Sequence, residues 1–188
     1  MNNYKTVSGI LAASCCVALS AQQAVIRDPK PSVVNTCKSL QSCVESATAL
    51  YGLARGDVTP TVRDEQLKKV LKDTETCIGS FGGDRGVAEC YHIRAKVFYV
   101  QTHYEESEQN SRDAIARDDS VAEYHWILGK ANYQLHRYTK AQSAMQNCLA
   151  RRPQDDSAAV ECAWVLGKTL LAQKHSNAKT QLSHSSTL

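Results

Sequence analysis

From Ser32 onward, apolar residues recur every three or four positions rather than in strict alternation, the spacing of helices that pack along one face. The pattern breaks at Gly56 to Pro60, Gly79 to Gly86, Asp118 to Ser120 and Pro153 to Asp156, where turn-forming residues gather. Helices are therefore expected near 34–54, 62–78, 87–101, 104–117, 121–135, 138–151 and 157–173. The joining segments are short, so consecutive helices should pack antiparallel. Residues 21–33 read as a linker, 34–86 as an N-terminal helix pair and 87–173 as further pairs closed by a last helix. The stretch "KHSNAKTQLSHSSTL", residues 174–188, is polar and lacks a periodic apolar face, and is expected to be a flexible tail.

The first twenty residues stand apart. "MNNYK" is followed by "ILAASCCVAL", an apolar run too short to span a bilayer, which is the build of an export signal. Ala18-Leu19-Ser20 fits cleavage before Ala21, whereas Leu11-Ala12-Ala13-Ser14-Cys15 resembles a lipobox, in which Cys15 would carry lipid and supply the only membrane attachment. Export to the periplasm or cell surface is expected either way, with an outer-membrane lipoprotein as the second form. Outside this segment six cysteines remain, Cys37, Cys43, Cys77, Cys90, Cys148 and Cys162, an even number that favours disulfides in an exported chain. With no Cys-x-x-Cys, a redox or zinc motif has no local support. The net charge of +3, without a basic cluster interleaved with aromatics, argues against a nucleic-acid partner.

"WILGK" at Trp126 to Lys130 is echoed by "WVLGK" at Trp164 to Lys168, thirty-eight residues on. With Gly129 at the eighth place of a 34-residue unit, Leu128 falls at seven, Tyr138 at seventeen, Ala141 at twenty, Leu149 at twenty-eight and Pro153 at thirty-two. This resembles the tetratricopeptide repeat. One unit earlier, Tyr91, Ala95, Phe98, Tyr104, Ala114 and Ile115 fit, while Arg94, Ser107 and Asp119 depart from the pattern. The unit holding Trp164 keeps only its first helix, as a terminal cap would, and 34–78 matches poorly beyond "GDV". The resemblance implies an all-α fold, a right-handed solenoid of antiparallel helix pairs with about seven helices. The spacing of thirty-eight is expected to place about four extra residues in the loop around "RRPQDDSAA".

The repeat register also bears on the cysteines. Cys90 and Cys162 share position three of a first helix, and Cys77 and Cys148 end the preceding second helices, implying equivalent staples Cys77 to Cys90 and Cys148 to Cys162, with Cys37 left to Cys43. The last pair can close only if Cys37 precedes the helix, because six residues along a helix point apart. Cys37 to Cys77 with Cys43 to Cys90 remains the competing pairing.

A second regularity runs along the first helices: Glu89, Glu123 and Glu161 at position two; His92, Trp126 and Trp164 at five; Lys96, Lys130 and Lys168 at nine; Tyr99, Tyr133 and Leu171 at twelve. These offsets share one helix face. The resemblance implies that this face lines the concave groove where tetratricopeptide domains take peptides, with both indoles in the groove; a shift of one position would bury them instead.

No Gly-rich phosphate loop, Gly-x-Ser-x-Gly or His-Glu-x-x-His occurs, and the histidines form no i,i+4 metal pair, so no catalytic residue, metal site or small-molecule cofactor is expected. The acidic pairs at 118–119 and 155–156 are expected to cap the following helices. The reading is a non-catalytic module exported to the cell envelope, binding a protein or peptide partner as accessory of a secretion, pilus or outer-membrane assembly. The alternative is a secreted, disulfide-stapled effector acting on a host or extracellular protein.

Overall fold

The computed structural model describes residues 37–151 and 156–185, with side chains at 37–151 and 158–178. All lie in one compact unit, Val33–Leu188; the other, Met1–Ser32, is outside the described residues, as are the expected signal, Cys15 and the linker. Seven helices follow one another: α1 (Leu40–Ala54), α2 (Pro60–Phe81), α3 (Val87–Val100), α4 (Tyr104–Arg117), α5 (Ala122–Gln134), α6 (Tyr138–Ala150) and α7 (Asp156–Ser185). No strand occurs among the described residues.

Local chemistry sets the starts. Ser39 and Ser42 form a capping box at α1, so the helix begins at Leu40 rather than near 34, which leaves Cys37 ahead of it. Thr59 caps α2, and Pro60 fills the first turn, where its missing N–H costs nothing. The expected acidic cap of α5 is not formed. Asp118 instead accepts from the Ser120 amide and from Arg85 Nη2 at 2.7 Å, and Asp119 pairs with Arg151 at 3.0 Å.

The hairpin turns confirm the 34-residue unit. Thr102 and His136, thirty-four positions apart, are the non-glycine residues with positive φ among those described, at 63° and 58°. After each, the backbone N–H bonds back across the turn, His103 to Phe98 O and Arg137 to Asn132 O, both at 2.9 Å. This left-handed helix end hands the chain to the next helix within a few residues.

Successive first helices α1, α3, α5 and α7 pack closely on one another, whereas the backbones of α2, α4 and α6 stand apart among the described residues, α4 and α6 meeting through the Glu108–Lys140 ion pair at 3.7 Å. The first helices therefore crowd on the inner side of a curve and the second helices splay on the outer side. The core is a chain of local clusters. Ala47, Leu50, Leu67, Val70, Ile93 and Val97 join α1, α2 and α3, while Ala122, Met145, Cys148, Cys162 and Val165 join α5, α6 and α7. Gly129 seats the Met145 side chain of α6, whose flexible end a Cβ at this position would push aside. Gly167, its echo, faces open space. Ser107, a departure from the repeat pattern, is fully buried and donates to Ala95 O at 2.9 Å.

The disulfides are Cys37–Cys43, Cys77–Cys90 and Cys148–Cys162, with Cα separations of 4.3, 6.5 and 6.4 Å. Two expectations are corrected. The last helix does not end near 173: α7 continues to Ser185, because no glycine or proline interrupts it and alanine, lysine and glutamine sustain a helix without apolar periodicity. The four extra residues before Trp164 form an added turn at the start of α7, since Asp156 begins the helix four positions ahead of the register.

Two stability measurements test this account. Thr102→Gly should raise the urea-unfolding free energy by about 1 kcal/mol, because a β-branched residue is strained in left-handed backbone. Replacing Cys148 and Cys162 together by alanine should lower it by about 3 kcal/mol, the entropy that a loop of that size returns to the unfolded chain.

Candidate functional site

The face shared by α1, α3, α5 and α7 is built from one repeated device. Each position-nine lysine lays its ammonium over the position-twelve tyrosine of the preceding first helix. Lys130 stands 4.9 Å from the Tyr99 ring and Lys168 5.3 Å from the Tyr133 ring. Lys96 does the same with Tyr51 of α1, at 4.9 Å. The sequence reading missed Tyr51, the twelfth residue of α1, because it expected that helix to start near 34 rather than at Leu40. Within its own helix, Lys130 also lies 4.3 Å from the Trp126 ring and Lys168 3.3 Å from that of Trp164. Such contacts are worth about 0.5–1 kcal/mol when exposed and about 2 kcal/mol when desolvated.

The tyrosines are fixed from the other side as well. Tyr99 leans on Tyr104 at 5.5 Å and accepts from Gln134 Nε2 at 3.3 Å, and Tyr133 leans on Tyr138 at 6.0 Å. Burial pushes the Lys96 and Lys130 ammoniums below their usual range, while Glu89 and Glu161 respectively pull them back. The charge of Arg55, at the end of α1, adds to the lowering of both, so a fourth cation borders the face. Its place beyond the helix end hid it from a periodic count.

The glutamates at position two are not equivalent. Glu161 pairs loosely with Lys130 at 3.9 Å. Glu89 accepts from the Tyr124 hydroxyl at 3.1 Å, and burial raises its carboxyl above the ordinary range. Glu123 is half-buried.

Position five differs most from expectation. His92 is buried, 5% exposed, with the Tyr124 ring 4.9 Å away, so it does not line a groove. Trp126 is half-buried, packed on the cluster around Met145 and Cys162, with its indole N–H enclosed and unpartnered in the protein. Only Trp164 is open, at 60% exposure. The cause is stacking: α5 covers His92, α7 covers Trp126, and nothing among the described residues covers α7. The structure thus brings together Lys96, Tyr99, Lys130, Tyr133 and Lys168 and withdraws His92. A separate cavity of about 360 Å³ lies at the turn into α6, lined by His136, Lys140, Gln173 and Asn177 among others. No group of three or more His, Cys, Asp or Glu able to hold a metal occurs among the described residues, and no helix there is long and apolar enough to cross a membrane.

Hairpins repeating every thirty-four residues, with first helices inside and second helices outside, have solved counterparts. A thermophilic TPR protein of Thermus thermophilus superposes with a TM-score of 0.59 at 18% identity, covering 70% of this chain and 66% of that one. The chain has the tetratricopeptide-repeat fold. The first TPR of Spaghetti (RPAP3), bound to the HSP90 peptide SRMEEVD, gives 0.54 at 14% identity, covering 70% of this chain and 95% of that one. The second TPR domain of human RPAP3, in complex with the HSP70 peptide SGPTIEEVD, gives 0.51 at 17%, covering 68% and 98%. No protein-family model matches the sequence, and no curated protein sequence does.

His92, buried beneath this face, supplies a pH test of the tetratricopeptide packing. Burial first and Lys96 second hold its imidazole down at about 3. A histidine whose folded pKa lies below its unfolded value of about 6.5 stabilises the fold above pH 6.5 and loses that contribution as pH falls toward 3. Between pH 6.5 and 5 the wild type should lose about 2 kcal/mol through this group. His92→Gln should flatten that share of the urea-unfolding profile, leaving the smaller slope of His125, which burial also lowers.

Proposed function

We propose that the chain is a non-catalytic interaction module that takes a peptide segment of a protein partner along its concave face. The carrying observation is the three-rung ladder of lysines seated on tyrosines. Each ammonium is held by one or two rings yet keeps N–H donors for a carboxylate, and the rings offer apolar surface beside it. A ligand of acidic residues interspersed with apolar ones fits this chemistry. The peptides bound by the two RPAP3 domains, SRMEEVD and SGPTIEEVD, have that composition, which supports the reading.

Three disulfides support maturation in an oxidising compartment. With the signal-like N-terminal residues, they favour export to the cell envelope, where the module would serve as accessory of an assembly such as secretion, pilus or outer-membrane machinery. Fractionation tests the place: recovery with the periplasm or membranes is expected, and recovery from culture medium would fit a secreted effector instead.

The groove is tested by capture from an envelope extract followed by mass spectrometry. Lys130→Glu with Lys168→Glu should reduce retention of the partner at least about tenfold, a loss of about 1.4 kcal/mol, while circular dichroism stays unchanged. Equal retention by the double variant would remove the groove from the account.

A further inference from the structure

The exposed hydrophobics are concentrated on one helix. Of six large hydrophobic side chains exposed among the described residues, four lie on α7: Val160, Trp164, Leu170 and Leu171. Val160, Trp164, Gly167, Leu171, Lys174 and Ala178 follow at alternating intervals of four and three, the seam of a coiled coil, and all are exposed. On α5 the matching face is filled, for Gly129 receives Met145 of α6 and Trp126 packs beneath α7.

The helix is also far longer than its neighbours. At 30 residues, against 13 for α5 and for α6, it spans about 45 Å. Gln173 reaches Thr139 at the start of α6, at 3.5 Å, and α7 continues to Ser185 beyond that point. A helix of this length draws most of its stability from packing an apolar face against a neighbour.

We propose that α7 is a dimerisation helix, paired antiparallel with α7 of a second copy. Gly167 leaves a notch beside the large Trp164 and Leu171, so Leu171 of one copy fits the notch left by Gly167 of the other, as Met145 fills the notch at Gly129. Charge selects the direction: Glu161 flanks the N-terminal end of the seam and Lys174 lies at its other end, so an antiparallel copy sets opposite charges together at both ends. A contact of the same patch with itself closes at two copies. The seam shares Trp164 and Leu171, at positions five and twelve, with the groove face, whereas Lys174 lies outside the lysine–tyrosine ladder and separates the dimer from the peptide reading.

Sedimentation equilibrium of the full chain with its disulfides intact, over micromolar concentrations, tests it. The wild type should sediment at twice the monomer mass, and Leu171→Glu as a monomer with unchanged circular dichroism. Lys174→Glu, a change at an exposed site that does not threaten the fold, should weaken the dimer roughly tenfold by turning two attractions into repulsions. A monomeric wild type, a Leu171→Glu variant that stays dimeric, or a Lys174→Glu variant of unchanged affinity would each overturn the proposal. So would a wild type that remains monomeric while α7 binds a different protein.

Discussion

A helical hairpin covers only part of its own apolar surface, and here every hairpin depends on the next to cover the rest. The joints between hairpins therefore carry the stability of the whole chain. Two of the three are covalent: Cys77–Cys90 ties the first hairpin to α3, and Cys148–Cys162 ties the α5–α6 hairpin to α7. The middle joint has no disulfide and uses charge. Tyr124 of α5 donates to Glu89 of α3, and Glu108 of α4 gathers Arg137 and Lys140 from the start of α6. Staples sit where a hairpin has a neighbour on one side only, and polar clasps where it is held from both.

The ladder on the concave face is a consequence of the same stacking. Lysine at nine and tyrosine at twelve belong to different units, so each cation–ring contact bridges a joint while shaping the surface. Stacking also decides which expected residues reach solvent. His92 and Trp126 occupy the same register place as Trp164, and they are closed over because α5 and α7 follow them.

Much of this was readable from the residues. The echo of Trp-x-Leu-Gly-Lys, the small residues at eight and the tyrosines at seventeen located the hairpins from α3 to α6, and the equivalence of Cys77 with Cys148 and of Cys90 with Cys162 located the staples. Periodicity failed where the deciding neighbour is far away in sequence. It could not tell that Tyr124 lies on His92, nor that Gly167, identical in context to Gly129, faces open space. It also ended the last helix near 173, because the helix at 174–185 rests on the absence of breakers rather than on apolar periodicity. Tyr51 was passed over because the hairpin around it lacks the leucine, glycine and proline landmarks.

The ladder has a metric. Packed helices stand 8–10 Å apart, and an extended chain advances about 3.3 Å per residue. A segment laid across the first helices therefore meets a new lysine about every third residue. Because each ammonium is already held on its ring, little freedom is lost when a carboxylate arrives. A face of this kind responds to the interval between acidic residues more than to their number.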